Sequence, residues 1–433
     1  MNDSRTAVTP PLRALLVYHF FHPDDVVSAR LFSDLAVGLG ARGWDVTALT
    51  SVRSWAAPTR RYAQHETWQG VRIERVSRPS WDQRRPSHRL LNSAWLLGAW
   101  LRRSRGLGPF DAMVLGSDPA FAPLLFLPLR HIWPNSVLAH WCFDVYPEVI
   151  AADGGGRGSR ALVPVARAMM GAAYARCDAI VDLGPRMRER LSEYSTPATR
   201  ETLVPWALTE PDATSSTADP GIRRLLFGDA TLGLLYSGTL GRAHDFTSFL
   251  ELARASRARN GNVIAFTFSS RGHGLQELCR NLRSEDSNVR LVPFSTEADL
   301  EARLISADIH LLSLRRDWSG LVVPSKFFGA LAVGRPVLYS GPGDSDVARW
   351  IRDLGVGWNV HPDPLETVRL LEQLAGSRTQ LERAQSRARS AYYAHFRKDV
   401  TLSRWDLLLR TLVQRRRQCA IPNFFSSAST KAI

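Results

Sequence analysis

The 433-residue chain is too long for one ordinary domain, and two cores of roughly 200 residues each are expected. Its 45% apolar and 22% charged residues are the make-up of a water-soluble globular protein, which sets aside disordered, fibrous and membrane-embedded classes. The formal net charge of +14 asks for an anionic partner or for another reason, and a compositional bias toward arginine accounts for most of it. No nucleic-acid module and no long Lys/Arg tail stands in the sequence, so phosphate-bearing substrates or an anionic membrane surface suit the charge better than nucleic acid.

The first apolar run, Leu12 to His19, predicts a strand. His22-Pro-Asp-Asp25 follows it where a secretion signal would carry small residues, so a cytoplasmic protein is expected. Helix Ser28–Ala41 comes next, then Gly43 as a stop and strand Asp45–Thr50. Further strands are predicted at Val71–Val76, Ala112–Leu115, Ser136–Trp141, Ala179–Leu183 and Thr202–Val204, with helices Leu91–Arg103, Phe121–Arg130, Ala161–Arg176 and Met187–Tyr194 between them. The turn-rich stretch 209–221 divides the chain into a first domain, 11–208, and a second, 222–395. There the alternation restarts with strands Leu232–Ser237, Asn262–Phe268, Val289–Val292, Asp308–Leu312 and Pro336–Tyr339. Their helices are Phe246–Ala258, Leu275–Leu282, Glu297–Ile305 and Ser325–Val333. A helix over 396–415 crosses back to the first domain and a loose tail, 416–433, ends the chain. The fold class is therefore α/β, with two Rossmann-like domains facing across a cleft lined by the carboxyl ends of both sheets.

Cys142, Cys177, Cys279 and Cys419 stand far apart with no paired spacing, which argues against a zinc site or disulfide framework and fits a reducing compartment. The longest apolar runs, such as Pro119 to Leu129, are too short for a bilayer span of about 20 residues.

Nearly every basic residue is arginine; lysine occurs only at 326, 398 and 431. Lys326 lies in Val322-Val-Pro-Ser-Lys-Phe-Phe-Gly-Ala-Leu-Ala-Val-Gly-Arg-Pro-Val-Leu338, where Ser325 is placed as N-cap and Gly334 as stop. A cation in a first helical turn opposes the helix dipole unless an anion docks there too; the plain alternative is a lysine reaching to solvent. In Tyr236-Ser-Gly-Thr-Leu-Gly-Arg-Ala-His-Asp245 a buried strand runs into Gly238, Thr239, Gly241, Arg242 and His244. The glycines let a ligand approach backbone and the arginine offers a fork for a diphosphate, although an ordinary tight turn reads equally well. The pattern is not the dinucleotide-binding glycine arrangement. Gly343, Asp344, Ser345 and Asp346 form a third strand-to-helix turn, suited either to sugar or ribose hydroxyls or to helix capping. In the first domain Asp25, Ser28, Arg30, Asp144 and Glu148 follow strands and are candidate cleft residues on the acceptor side. Asp344-Ser-Asp346 is the only near match to an Asp-x-Asp metal clamp, and its position at a helix start favours capping or hydroxyl contacts, so no metal site and no resident cofactor are expected.

Taken together, His19-Phe-Phe-His-Pro-Asp24, Arg30, Ala41-Arg-Gly-Trp-Asp-Val46, Asp144-Val-Tyr-Pro-Glu148, the Gly238–Asp245 stretch, Pro324-Ser-Lys326, Gly334-Arg-Pro-Val337 and Gly341-Pro-Gly-Asp-Ser-Asp346 resemble the glycosyltransferase family 4 enzymes over about residues 12 to 410. The look is nearest to the branch with N-acetyl-L-fucosamine transferases of bacterial surface-polysaccharide synthesis. The resemblance implies the GT-B fold and a retaining, metal-independent transfer of a hexosyl or N-acetylhexosaminyl group. It also implies a nucleotide-diphosphate sugar, UDP-linked, as donor, bound by the second domain, and a glycan or polyprenyl-linked acceptor on the first. Arg242 and Lys326 would then be the catalytic cations on the departing diphosphate, with Gly238, Thr239, Gly241, His244, Ser325 and the Gly343–Asp346 turn around the donor. Three departures stand out: Leu321 and Gly329 replace the usual glutamate pair, Val26-Val27-Ser28 the glycine-rich loop, and Phe143 a histidine. A GT-B sugar-nucleotide epimerase and a non-catalytic nucleotide-sugar-binding scaffold are the alternatives. Finally, residues 84–105 join six arginines to Leu90, Leu91, Trp95, Leu96, Leu97, Trp100 and Leu101. Such a segment either lies peripherally on an anionic membrane or packs its apolar side on the first sheet.

Overall fold

The computed structural model describes residues 10–55, 57, 59–81, 86–154, 157–211, 218–294 and 299–420. Among them the strands form two sheets. The first holds β1 (Arg13–Val17), β2 (Asp45–Ser51), β3 (His65–Trp68), β4 (Val71–Val76), β5 (Ala112–Gly116), β6 (Val137–Trp141), β7 (Ala179–Asp182) and β8 (Thr199–Thr202), in the order β3-β4-β2-β1-β5-β6-β7-β8. All its pairings are parallel except the β3–β4 hairpin, whose tight turn is made by Gln69 and Gly70 at positive φ. Sequence patterning missed β3 because His65-Glu-Thr-Trp68 is an edge strand with little to bury. The second sheet holds β9 (Leu232–Thr239), β10 (Ile264–Arg271), β11 (Val289–Val292), β12 (Ile309–Ser313), β13 (Val337–Ser340) and β14 (Gly357–Asn359), all parallel, in the order β11-β10-β9-β12-β13-β14. Counting from β9, this is the 3-2-1-4-5-6 order of a doubly wound domain, and the first sheet repeats it from β1 once β3 and β8 are set aside. The strand order reverses beside β1 and β9, and the crevices opened there face each other.

The first domain's helices are α1 (Val27–Gly40), α2 (Pro86–Leu107), α3 (Phe126–Ile132, after a 3₁₀ turn Ala122–Leu125), α4 (Glu148–Ala152), α5 (Arg157–Tyr174) and α6 (Pro185–Ser192). The second domain adds α7 (Pro220–Phe227), α8 (Thr247–Asn260), α9 (His273–Asn281), α10 (Leu300–Ser306), α11 (Lys326–Ala332), α12 (Asp346–Leu354) and α13 (Pro364–Gly376), followed by α14 (Arg378–His395) and α15 (Lys398–Ala420). Helices on both faces explain why β5, β6, β7 and β12 are buried at every position. One continuous apolar cluster runs from the first sheet through α11 and α14 to α15, so the halves share a core.

Two boundaries differ from expectation. The 209–221 linker yields its last residues to α7, because Asp219 caps that helix by accepting from Gly221 and Ile222 (2.7 and 3.2 Å); residues 212–217 lie outside the described residues. The terminal helix crosses back as expected, setting Trp405 against Trp141 and receiving a hydrogen bond from Trp44 on Asp406 (2.6 Å). It does not end near Arg415, however. Arg416 and Arg417 hold Asp178 (2.8 Å) and Asp111 (2.7 Å), which extends order to Ala420; residues 421–433 of the expected tail lie outside the described residues.

Candidate active site

A cavity of about 440 Å³ opens where the two crevices meet. On the second-domain wall, the penultimate residue of β9 is Gly238, whose φ of +131° suits only glycine. A Cβ there would stand 2.5 Å from the Lys326 Cε, so the missing side chain is what lets the lysine cross the strand end. The Lys326 ammonium donates to the Thr239 carbonyl (3.0 Å) and to His244 Nε2 (3.3 Å), and lies 5.2 Å above the Tyr236 ring. His244 Nδ1–H donates to the Ser313 carbonyl (2.7 Å), which fixes the tautomer with its lone pair toward the lysine. Burial, and then the lysine charge, push the imidazole down to about 3, so it stays neutral. Burial likewise lowers Lys326 to about 8. Among the described residues no carboxylate pairs with this ammonium. It is a positioned cation lining a cavity.

Arg242 lines the same cavity and reaches across the cleft to the Asp153 carboxylate after α4. Gly241 lines the cavity too, and a Cβ there would meet no atom within 4 Å. Ser325 is at the N-cap position as expected, but its side chain makes no capping bond, because the residue itself has helical dihedrals; it lines the cavity instead. Gly329, one of the two positions at which the family resemblance implies a glutamate, also lines the wall, while Leu321 is buried and accepts from the Val145 amide (3.1 Å).

The opposite wall carries Asp25, Arg30 and Asp144. Arg30 donates to the Leu208 carbonyl (3.2 Å). Asp144 follows β6, and burial, with the nearby Asp118 charge second, raises its carboxyl to about 7. Near neutral pH that group can accept a hydrogen bond from a sugar hydroxyl, or donate one. Behind it, His19 Nδ1 meets Asp118 (3.2 Å). Ser28 does not line the cavity.

Glu148 and the third turn stand elsewhere. Glu148 accepts from the Tyr194 hydroxyl (2.9 Å), pairs with Arg167 (3.2 Å), and lines a second, wider interdomain cavity of about 1140 Å³ together with Gly343 and Asp344. Asp344 is held by Arg186 (2.9 Å) and Ser319 (2.9 Å). Ser345 is buried and caps α12, accepting from Ala348 (3.4 Å). Asp346 is buried against Gly184 and accepts from the Arg186 amide at the start of α6 (2.7 Å). Of the two readings of this turn, capping holds for Ser345, and Asp344 and Asp346 tie the domains together.

Sequence reasoning overlooked Arg271, Phe294, Arg303 and His310, all of which line the main cavity. Arg271 had a usable signal: it ends β10 just before Gly272, as Gly238 nears the end of neighbouring β9. Arg303 shares a helix face with Leu300 and Leu304, where an arginine is out of place unless something needs it.

Residues 28–207, the first domain from α1 onward, match the glycosyl transferase 4-like domain. The chain is 24% identical over 270 residues to a probable glycosyltransferase, WbjE, of Pseudomonas aeruginosa; the match covers 61% of this chain and 66% of that relative, just under two thirds of its length. Among solved structures it superposes on a sucrose-phosphate synthase from Thermosynechococcus elongatus with a TM-score of 0.71 at 13% identity, covering 93% of this chain and all of that one. It superposes on Anabaena Alr3699/HepE in complex with UDP with a TM-score of 0.63 at 11% identity, covering 92% and 100%. The fold is GT-B, and these likenesses together support a glycosyltransferase of that type.

Proposed function

We propose that the chain is a retaining glycosyltransferase of surface-polysaccharide synthesis. It moves a hexosyl or N-acetylhexosaminyl group from a UDP-linked sugar to a glycan or polyprenyl-linked acceptor. The observation that carries this reading is the positioned Lys326 ammonium at the glycine-opened end of β9, facing Asp144 across the cavity. As a glycosidic bond to diphosphate breaks, negative charge grows on the phosphate oxygens, and a cation already fixed there stabilises the transition state more than the ground state. Arg242 adds a second cation once the diphosphate draws it from Asp153. Asp144 and Arg30 are on the wall where an acceptor hydroxyl would be held. The UDP-bound neighbour and the glycosyltransferase relative support the donor class; retention and the acceptor class rest on the family resemblance.

The test is transfer or slow donor hydrolysis across a panel of nucleotide sugars, with thermal stabilisation by the nucleotide alone as a second readout. A UDP-sugar is expected to give the largest shift and to be turned over equally well in EDTA, since Lys326 and Arg242 supply the counter-charge. Loss of activity in EDTA with rescue by manganese or magnesium would overturn the metal-independent mechanism.

We also propose that the enzyme works on the inner face of the plasma membrane. Among the described residues no helix is long and apolar enough to cross a membrane. Helix α2 buries Leu96 and Trp100 against the first domain, as a packed helix would, yet Leu90, Leu91 and Trp95 remain more than half exposed on its other side. Arg84 and Arg85 of this segment lie outside the described residues. Helix α5 presents Leu162, Val165 and Met169 outward, and both helices pack on the 3₁₀ turn Ala122–Leu125. Leucine and tryptophan beside arginine suit a headgroup boundary. Peripheral flotation with anionic vesicles at low salt is expected, weakening as salt rises. Equal binding to neutral vesicles would sink the electrostatic part of the idea, and Trp95→Glu should abolish flotation while leaving folding intact.

A further inference from the structure

Arg303 is 4% exposed, and its Nε and Nη1 find no hydrogen-bond partner among the described residues. Arg271 Nε is in the same position. Both guanidinium groups lie against one ring: Arg271 is 4.5 Å and Arg303 5.5 Å from the centre of Phe294, and Trp55 of the first domain covers Arg271 at 5.2 Å. A buried guanidinium with unmade hydrogen bonds is costly, and its contact with an aromatic face offsets only part of that cost. Both arginines line the main cavity, so a ligand seated there can supply the missing acceptors.

Their place in the sheet says which part of a ligand this is. Lys326 and Gly238 stand at β9 and on the β12 side of it, whereas Arg271 ends β10 and Phe294 follows β11, on the other side of β9. A nucleoside diphosphate with its phosphates at Lys326 and its sugar toward the first domain meets these unsatisfied donors if it runs along the strand ends toward β10 and β11. The geometry points to Arg303, flanked by Phe294 and Arg271, as the residue that reads the donor base and selects bases presenting a carbonyl oxygen, such as uracil, over adenine. A guanidinium has donors and no acceptor, so it matches a carbonyl edge and is mismatched with an exocyclic amine. Phe294 offers the face on which a base stacks. The inference rests on the nucleotide-sugar donor proposed above.

Calorimetry on the full chain with UDP, ADP and inorganic pyrophosphate tests it. The wild type is expected to bind UDP at least about tenfold more tightly than ADP, because a site built to donate hydrogen bonds rejects a ligand that leaves them unmade. Arg303→Met, which keeps the bulk and removes a buried cation with unmade hydrogen bonds, should fold with a little-changed Tm. It should lose roughly tenfold in UDP affinity while ADP and pyrophosphate hold within about twofold. Arg303→Lys should fail to restore the preference, since the planar fork is gone. If Arg303→Met weakens pyrophosphate as much as UDP, the residue is a phosphate ligand and the inference is overturned. An unchanged UDP-to-ADP ratio overturns it as well. If the wild type bound none of the three, the donor reading itself would fall, a result no Arg303 variant can mimic.

Discussion

Lys326→Ala should lower kcat by about 10²–10³ while the protein folds as well as before. A fixed cation on a departing anion is worth about 2–4 kcal/mol of transition-state stabilisation, because it acts where charge develops and needs no reorganisation. Lys326 meets that description: its ammonium is held by the Thr239 carbonyl and His244 Nε2 and pairs with no carboxylate among the described residues. The same burial that positions it lowers its pKa from 10.5 to about 8. The sign follows from linkage. With the folded value below the unfolded one, the native state binds this proton less readily, so the wild type gains stability as pH rises from about 8 toward 10.5. Truncation removes that dependence and costs little at neutral pH. Donor binding runs the other way in the proposed site, where the diphosphate contacts the ammonium, and affinity in the wild type should fall above about pH 8. Steady-state kinetics and melting curves over pH 6–10 check both slopes. A variant that keeps wild-type kcat/KM, or unfolds at 25 °C, contradicts the assignment. Arg242→Ala should cost less, because Arg242 must first leave Asp153.

Much of this architecture was legible beforehand, for identifiable reasons. Strands buried on both faces read as continuous apolar runs, so β5, β6, β7 and β12 were placed within a residue or two. Helices stopped by glycine were placed as well; Gly334, at φ +67°, ends the α11 region as expected. Elements with little to bury were missed: the edge strand β3 and the three-residue β14 carry no period to detect. Of the residues lining the main cavity, Lys326, Gly238 and His244 stood out in the sequence because a lone lysine and a glycine at a strand end are locally odd. Arg271 and Arg303 were missed because, in a chain with 55 Lys and Arg, one more arginine is not odd; only burial singles them out. The two readings of Asp344, Ser345 and Asp346, ligand contact or capping, stayed open for a different reason. A polar turn before a helix looks the same whether it faces a ligand or the other domain, and α6, which decides it, is far away in sequence.

Gly238→Ala should damage catalysis and stability together, by separable routes. The backbone at φ +131° disfavours any Cβ, a strain of about 1–3 kcal/mol that lowers the melting temperature. The same Cβ would fall 2.5 Å from Lys326 Cε, and a flexible side chain yields before a strand does. The lysine would swing off Thr239 and His244, and a displacement of about 1 Å at a charge-stabilising group can cost ~10²-fold in rate. Gly241→Ala is the matched control: its Cβ meets nothing within 4 Å and its φ is not in the left-handed range, so stability should hold within about 0.5 kcal/mol. The double variant Gly238→Ala/Lys326→Ala separates the two routes. With Cε gone the steric conflict disappears, so its stability loss should shrink to the backbone strain alone, and its rate should match that of Lys326→Ala. If instead the double variant loses rate beyond the single lysine variant, Gly238 serves the ligand directly as well as making room for Lys326.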